Sequence, residues 1–591
     1  MEYIKNVIRR IRQGGLKEVW RETKSIYRYA KKYWTKIILF IILGLAGTAL
    51  GIYTGLVSKE LINMVMAGYG NGRRLRDILP VGILLVGLAV GQIVLRAFSS
   101  RISAKVNLAV NREIRADIYR RFLLTNWESI SRYHSGDLLN RINSDAGTVA
   151  GSVLGWIPTL ITSLVQFLAS LAIILHYDPV MGLITLATLP VSAIIFAFLA
   201  PKMRNLSRQT AEASADLTAF YADSLQNIQS VKAFDLVDHF SENLDGLQEK
   251  HIKASLRQNL FSVGSGAFMS LAGKAGSYLC LAWGVLRLWT KELDYGTLVL
   301  FIQLAGYLSS SANSLMSLGP STISTTVAAK RIMTILDLPK EEVTPAPVVE
   351  KLCRENRGVT LQMRDMDFSY QDNRGGPVLR DVQFQAGPGE VVAIVGPSGS
   401  GKTTMLRLLL GLLRPTQGTT EAIDDDGVRL ALGPNTRGLF AYVPQEKSLF
   451  SGTVAETLRL ARQDATDEEL WQVLELVYMD DVVRRMPKGL DSSIGQGGSR
   501  LSEGQGQRLS IARALLRQAP VILLDEATSA LDVATERRIL RNIMAKCKNK
   551  TCVVTSHRPS VLSMCSRVYE IREYSARILD QQDVDTLRRE F

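Results

Sequence analysis

The sequence predicts a multidomain protein in which an all-α membrane domain of six long transmembrane helices precedes an α/β globular domain. A length of 591 residues favours more than one domain. Residues 1–330 contain nearly every long apolar run, whereas residues 355–591 alternate strand-like and helix-like segments. The mean hydropathy of +0.09 is therefore an average over two unlike halves.

The membrane domain is predicted at 35–335. A helix needs roughly 20 apolar residues to cross a hydrocarbon core of about 30 Å. The predicted spans are about 37–65, 78–98, 146–175, 179–200, 261–288 and 295–316. Long, charged connections with few Gly and Pro follow the second and fourth spans, so we expect these helices to continue beyond the bilayer on the cytoplasmic side.

The N-terminal segment, residues 1–34, is predicted to be a basic amphipathic helix that lies on membrane lipid. Residues 1–36 carry eleven Lys or Arg against three Asp or Glu, immediately before the first apolar run. This excess predicts a cytoplasmic N-terminus. Because the basic residues border a membrane span, the net charge of +14 is not interpreted as a nucleic-acid footprint.

Lys274 interrupts the fifth predicted span. An ionisable group at membrane depth is a candidate substrate-binding residue. The alternatives are a side chain that reaches the membrane surface and a structural ion pair with a carboxylate such as Glu60. A largely apolar path with one lysine is compatible with a small hydrophobic, lipid or peptide substrate.

Residues 336–357 are Pro-rich and charged and are predicted to be a linker to a nucleotide-binding domain at 358–591. An apolar strand at the start of that domain leads into a glycine-rich phosphate loop and then an apolar helix. The loop consists of Gly396, Pro397, Ser398, Gly399, Ser400, Gly401, Lys402 and Thr403, followed by Thr404. In this motif the lysine neutralises the β- and γ-phosphates of ATP and the Thr403 hydroxyl binds Mg²⁺.

Two carboxylates follow a second apolar strand, at Asp525 and Glu526. Downstream of a phosphate loop, Asp525 is expected to hold Mg²⁺ and Glu526 to polarise the attacking water. Between the two motifs, Leu501-Ser502-Glu503-Gly504-Gln505 opens an apolar-periodic segment in which Ser502 is placed to cap a helix.

Together these motifs resemble the ATPase cassette of ABC transporters, and the membrane half resembles the exporter type, in which one six-helix domain is fused ahead of one cassette. The resemblance also covers SGDLLNRINSD in the first long connection and DSLQNIQSVKAF in the second. It implies that Tyr370 stacks on adenine, that Gln445 contacts Mg²⁺ and water, and that His557 contacts the γ-phosphate. The catalytic set it implies is Glu526, His557, Lys402 and Gln445.

The resemblance further implies a half-transporter that works as a dimer. Ser502, Gly504 and Gln505 would cover the ATP held by the partner's phosphate loop, and short helices near 115–130 and 218–232 would contact the cassettes. Glu503 stands where the family usually has Gly, so strain is expected if that position requires a positive φ. A homodimer is favoured, and a heterodimer remains the alternative.

The function predicted is ATP-driven export, or leaflet flipping, of a hydrophobic or amphipathic substrate across a bacterial cell membrane. The chain would cross the membrane several times with its N-terminus and cassette in the cytoplasm. The alternatives are an ATP-gated channel or regulatory membrane protein, and a membrane-anchored ATPase that does not transport.

Overall fold

The computed structural model of the chain divides into two compact units. The membrane unit comprises Met1–Arg121 and Ser135–Asp337, and the cassette unit comprises Phe122–His134 and Leu338–Phe591. The structure describes every residue except 1–27, 69–74, 134, 345, 356, 371–375, 446–447, 547, 557 and 591. Within helices, some further side chains, including those of 188–193, are outside the description.

Long helices form the membrane unit and continue well beyond the length that a bilayer requires. The helices up to the linker are α1 (Trp34–Gly68), α2 (Leu75–Leu124), α3 (Trp127–Ile130), α4 (Ser135–Asn140), α5 (Ala146–Tyr177), α6 (Pro179–Gln226), α7 (Ile228–Ala233), α8 (Val237–Trp289) and α9 (Tyr295–Leu336). A π-helical turn, Arg141–Asp145, joins α4 to α5. Helix α8 packs against α6, and α9 packs against α5.

Four helical segments among the described residues are long and apolar enough to cross a membrane: Trp34–Ala67, Ile78–Leu124, Gly136–Tyr177 and Tyr295–Leu315. The remaining two predicted spans, 179–200 and 261–288, lie in α6 and α8, where several side chains are outside the description. The apolar end of α8, Tyr278–Trp289, is shorter than a full span.

Asp178 fixes the turn between α5 and α6. Its buried carboxylate accepts hydrogen bonds from the backbone N–H groups of Val180 (2.9 Å) and Met181 (3.2 Å) through Oδ1. Oδ2 accepts from Trp283 Nε1 (3.1 Å) and Arg287 Nε (3.3 Å). One side chain thus caps α6 and joins the start of α6 to α8. The buried charge is tolerated because each carboxylate oxygen accepts two hydrogen bonds.

Short helices occur in both long connections, although most of the ranges 115–130 and 218–232 belongs to the long helices α2 and α6. Helix α2 itself extends to Leu124, and the short helix α3 follows it at Trp127–Ile130, with Asn126 accepting the Ser129 N–H as its cap. In the second connection, α6 ends at Gln226 and α7 occupies Ile228–Ala233.

The cassette unit is built on two sheets. Its strands are β1 (Thr360–Phe368), β2 (Leu379–Ala386), β3 (Val391–Val395), β4 (Gln417–Ile423), β5 (Arg429–Ala431), β6 (Phe440–Val443), β7 (Val521–Asp525), β8 (Thr551–Thr555), β9 (Arg567–Arg572) and β10 (Ser575–Ile578). The smaller sheet is antiparallel with order β2-β1-β4-β5. The larger has order β10-β9-β3-β8-β7-β6 and is parallel apart from β10.

Helices complete the cassette unit, and most of them cover the larger sheet, whose parallel strands are buried on both faces. They are α10 (Pro347–Glu355), α11 (Lys402–Leu409), α12 (Val454–Arg459), α13 (Asp467–Leu476), α14 (Asp480–Arg484), α15 (Glu503–Leu516), α16 (Val533–Lys546), α17 (Pro559–Leu562) and α18 (Gln581–Glu590). Every residue of β7 and β8 is buried. The predicted fold class, a helical membrane domain followed by an α/β domain, is confirmed.

The segment predicted as a linker is partly built into the cassette. Helix α10 buries Val349 and Leu352 in the core that also contains β1 and β2. Its charged residues are exposed, so the sequence of this stretch, rich in Pro and charge, indicates a linker although one face of the helix is buried.

Candidate functional site

The phosphate loop, residues 396–403, joins the buried end of β3 to the start of α11. Gly396 has φ +148°, and a Cβ at this position would lie 2.6 Å from the Ile571 carbonyl oxygen. Gly401, which precedes the helix, has φ +109°. Both positions therefore require glycine, and the resulting turn aims the loop at the N-terminus of a helix, where backbone N–H groups favour an anion.

Lys402 folds back over the loop that carries it. Its Nζ donates to the carbonyl oxygens of Gly396 (2.9 Å) and Pro397 (3.1 Å). Burial lowers the pKa of this lysine, although the nearby carboxylates of Glu526 and Asp525 act in the opposite direction. Ser400 Oγ is buried with no hydrogen-bond partner among the described residues. A phosphate in this loop would supply acceptors for both side chains, so the residues present fit a nucleotide.

Asp525 links the end of β7 to the phosphate loop. Its buried carboxylate accepts hydrogen bonds from Thr555 Oγ1 (2.8 Å), Tyr442 OH (3.3 Å) and Thr403 Oγ1 (3.5 Å). Burial, followed by the charge of Asp525, raises the pKa of Tyr442, which keeps this phenol a donor. The two predicted Mg²⁺ ligands Thr403 and Asp525 are therefore neighbours.

Glu526 lies one residue beyond the strand, in a left-handed conformation with φ +47°. Its backbone N–H donates to Thr555 Oγ1 (2.9 Å) and lies 3.2 Å from the Thr555 carbonyl oxygen. Its Oε2 accepts from Gln445 Nε2 at 2.8 Å. A strained backbone held by specific hydrogen bonds is typical of a functional position, because the surrounding structure must compensate its cost. His557 lies outside the described residues.

No group of three His, Cys, Asp or Glu side chains suited to a metal occurs within the described part of the chain. The predicted Mg²⁺ ligands are instead one hydroxyl, one amide and one carboxylate, namely Thr403, Gln445 and Asp525. Oxygen ligands of this kind, completed by water and phosphate oxygens, suit Mg²⁺.

Tyr370 lies close to the start of α11. Its hydroxyl is 3.2 Å from Thr404 Oγ1, and its ring meets Phe368 edge-on at 4.9 Å between centroids. The ring is half-buried, so one part of it remains accessible beside the phosphate loop.

The Ser502 segment forms the N-terminus of α15. Ser502 Oγ accepts the Gln505 N–H at 3.3 Å, and Gln505 Oε1 accepts the Ser502 N–H at 3.0 Å, which is a reciprocal capping box. Glu503 is the first helical residue and is not among the described residues with positive φ. The strain expected for Glu503 is therefore absent, and a carboxylate in the first turn is favourable to the helix dipole.

Two residues that sequence reasoning missed hold the segment Ser529–Leu531 in place. Gln507 donates through Nε2 to Ser529 Oγ (2.9 Å) and accepts the Ala530 N–H at 3.0 Å. Arg558 donates to the carbonyl oxygens of Leu531 (2.8 Å) and Ser529 (2.6 Å). Gln507 is a buried polar residue on α15. A polar residue on the apolar face of a predicted helix is a sequence signal for a buried hydrogen-bonding role.

Arg558 is fixed in turn by Glu536. The fully buried Glu536 carboxylate lies 3.4 Å from Arg558 Nη1 and accepts from Thr528 Oγ1 at 2.6 Å. Buried charges are tolerated when they are paired and hydrogen-bonded. This pairing makes Arg558 a rigid support for the residues that follow Glu526 in the chain.

The membrane unit contains a cavity of about 420 Å³ that no sequence motif indicated. Its polar lining includes Gln92, Arg96, Gln166 and Tyr307, and its apolar lining includes Phe40 and Leu43. Lys274 does not line this cavity; it is exposed on α8, and no ion pair of Lys274 occurs among the described residues.

Two family models match the chain, one described as the ABC transporter transmembrane region over residues 37–312 and one described as ABC transporter over residues 379–529. A multidrug resistance ABC transporter ATP-binding and permease protein of Lactococcus lactis is 26% identical, covering 93% of this chain and 90% of that protein.

An ATP-dependent lipid A-core flippase of Bordetella avium is 28% identical, covering 93% of this chain and 91% of that protein. A solved bacterial Atm1-family ABC exporter with ATP bound superposes with a TM-score of 0.78 at 20% identity, covering 95% of this chain and 97% of that one. At this identity the structural match establishes the fold.

Proposed function

This chain belongs to the ABC transporter family, and from that premise we propose that it exports an amphipathic substrate as one half of a homodimer with two working ATP sites. ATP-driven export is the activity that its two domains and its relatives support. The substrate, the identity of the partner and the bound Mg²⁺ are parts of the proposal.

The arrangement of Glu526 carries the proposal. Gln445 Nε2 donates to this carboxylate, and the Thr555 hydroxyl accepts the Glu526 backbone N–H, at the exit of a fully buried strand. In this position Glu526 accepts a proton from the water that attacks the γ-phosphate. Lys402 compensates phosphate charge, and Thr403, Asp525 and Gln445 are the proposed ligands of Mg²⁺, which would neutralise the negative charge of the phosphates.

Dimerisation completes the site in the proposed mechanism. Ser502 is exposed and Gly504 and Gln505 are half-buried at the beginning of α15, where a triphosphate held by a second cassette could reach them. ATP then favours the closed pair of cassettes, and hydrolysis followed by product release reopens it. A heterodimer is the alternative, since Glu503 places a carboxylate next to that triphosphate.

The cavity in the membrane unit supports an amphipathic substrate. Arg96 and two amide side chains offer donors to an anionic or polar head, while Phe40 and Leu43 offer apolar surface. Lys274 remains a second candidate contact. The relatives named as a multidrug transporter and a lipid A-core flippase support this class of substrate for the present chain.

The proposed setting is a bacterial cell membrane, with the N-terminus and cassette in the cytoplasm. Near the N-terminus, Tyr29 donates to Asp117 (3.0 Å) and Lys32 to Glu113 (2.9 Å), which fixes the segment before α1 to the cytoplasmic part of α2. Basic residues beside this anchor favour the negatively charged inner leaflet.

The test is ATP hydrolysis in liposomes, with a panel of amphipathic dyes and lipids as candidate stimulators. We expect at least one compound to raise the hydrolysis rate and to accumulate on the far side of the membrane in an ATP-dependent manner. ATP-dependent ion currents without uphill transport would favour the channel alternative. Hydrolysis that no compound alters, and that persists after the cytoplasmic connections are cut, would favour the anchored ATPase.

A further inference from the structure

The first cytoplasmic connection is hydrogen-bonded to the linker that enters the cassette. Thr125 and Lys340 form an antiparallel bridge outside the two sheets. On either side of it, the Glu341 N–H donates to the Leu124 carbonyl oxygen (2.7 Å) and the Asn126 N–H to the Pro339 carbonyl oxygen (3.4 Å). Thr125 is only 5% exposed. A backbone bridge between segments so far apart in sequence, with Thr125 buried at its centre, is a specific attachment.

Glu341 extends this attachment into the body of the cassette. Its carboxylate makes a two-pronged ion pair with Arg437, at 2.5 Å and 2.7 Å. Arg437 Nη2 also donates to the Gly411 carbonyl oxygen at 2.9 Å, which orients the guanidinium. The Glu341 side chain is 11% exposed and that of Arg437 is 30% exposed. Two parallel hydrogen bonds between a guanidinium and a carboxylate fix both the distance between the two side chains and their relative orientation.

Arg437 lies just before β6, the strand that precedes Gln445. It lies in the 3₁₀ helix Pro434–Leu439, which continues directly into β6. Strand β6 is paired with β7 along its length, and Gln445 follows it by two residues. The linker makes a second contact here, since the Thr344 N–H donates to Asn435 Oδ1 at 2.6 Å. The attachment therefore joins the edge strand that delivers Gln445 to Glu526.

We propose that residues 124–126 and 339–341, together with Arg437, form a clasp through which ATP-driven movement of the cassette displaces helix α2. The last residues of α2 belong to the cassette unit, while the rest of this helix belongs to the membrane unit. Because the helix is continuous, a cassette that moves carries the cytoplasmic end of α2 with it. Glu341 and Arg437 are positioning residues in this scheme, and the scheme rests on the ATP cycle proposed above.

A purely structural attachment would show itself differently from a transmitting one. If the clasp only stabilises the cassette, its loss lowers the amount of folded protein and leaves every ATP response of the folded fraction unchanged. If the clasp transmits movement, its loss leaves ATP binding intact and weakens the response of α2. The readout must therefore compare the phosphate loop with α2 in the same molecules.

The experiment is amide hydrogen exchange of the full-length protein in liposomes, with and without MgATP, in a Glu526→Gln background that retains nucleotide. Peptides covering 396–403 report ATP binding, and peptides covering 105–124 report α2. In Glu341→Gln and in Arg437→Lys we expect ATP protection of 396–403 to persist and the ATP-dependent change at 105–124 to shrink at least about fivefold, the lower end of usual coupling between sites.

Two further variants sharpen the test. Glu570→Gln removes a comparable ion pair with Arg577 on the β9–β10 hairpin and is expected to behave as the parent. Thr125→Cys with Lys340→Cys places a disulfide across the bridge, where antiparallel neighbours lie at a suitable separation of about 4.5–5.5 Å. Added to Glu341→Gln, the oxidised pair is expected to restore the change at 105–124, and reduction is expected to remove it again.

A full ATP-dependent change at 105–124 in both Glu341→Gln and Arg437→Lys would overturn the clasp. So would a disulfide that suppresses the change in a protein with an intact Glu341. Failure of ATP to protect 396–403 when the clasp is unaltered would instead count against the proposed ATP cycle, and the inference would fall with it.

Discussion

The cassette unit and the membrane unit place their polar groups in opposite ways. In the cassette, β7 is buried throughout and presents Asp525 and Glu526 at its end, where hydroxyl, amide and backbone groups bind them. In the membrane unit, large apolar side chains such as Phe198 (85% exposed) and Trp289 (87% exposed) cover the helices, and the cavity has a lining of both polar and apolar side chains. The cassette thus concentrates its polar groups in a few fixed residues, whereas the membrane unit spreads them over a cavity lined by several helices.

The largest effect is expected in the cassette. Replacing Glu526 by Gln keeps the size of the side chain and an acceptor for Gln445, but removes the base. Hydrolysis should fall by about 10²–10⁴-fold, the usual contribution of general-base catalysis, while ATP binding persists. Phosphate release and nucleotide binding measured on the same preparation check this. Near-normal hydrolysis would remove Glu526 from its assigned role.

Asp178 tests whether the membrane unit also depends on a buried polar network. Asp178→Ala removes the cap of α6 and leaves the Trp283 N–H without its acceptor, while Arg287 keeps its ion pair with Glu292, so the unfolding free energy should fall by about 3 kcal/mol. Asp294→Ala is a matched control, because Asp294 caps α9 through the Thr297 N–H but is exposed. Its loss should cost about 1 kcal/mol. Denaturation in detergent provides the measurement, and equal losses would contradict the distinction.

A substitution of Arg96 tests whether the cavity of the membrane unit binds the substrate. Arg96→Ala should reduce stimulation of hydrolysis by an anionic amphipathic compound roughly tenfold, because a hydrogen bond to a charged group contributes about 1.5–3 kcal/mol. Basal hydrolysis should not change. Lys274→Ala serves as the comparison, since Lys274 lies on α8 outside the cavity. A greater loss for Lys274→Ala would transfer the substrate site to α8.

The smallest effect concerns Glu503. Glu503→Gln removes a charge that would face the partner's triphosphate, and the KM for ATP should fall about fivefold, equivalent to roughly 1 kcal/mol of repulsion across a hydrated interface. Unchanged kcat is expected, because Gln505 and Ser502 keep the capping box. Steady-state kinetics provide the measurement. A rise in KM would indicate that Glu503 assists nucleotide binding.

The same contrast explains what the sequence could predict. The family, the fold class and the ATP-driven export activity are confirmed, because motifs such as the phosphate loop encode a local turn and its chemistry in consecutive residues. The predicted cap at Ser502 agrees with the structure, and because Glu503 then begins a helix, the positive φ that would have strained it does not arise.

Other features depend on residues that only the tertiary fold brings together. Gln507 contacts Ser529 from α15 and Arg558 contacts it from the loop before α17, and Arg96, Gln166 and Tyr307 line one cavity from different helices. The bridge between Thr125 and Lys340 joins two segments with no shared pattern. Periodicity and spacing describe a single segment of the chain, so they carry no information about contacts between segments that are distant in sequence.

The central claim is that ATP draws two copies of the cassette together around shared nucleotide. The most direct measurement is the distance between spin labels on the two cassettes of the Glu526→Gln protein in liposomes, with and without MgATP. The account predicts a short, narrow distance distribution with ATP and a longer one without it. Cassettes that stay apart although ATP is bound would contradict the account.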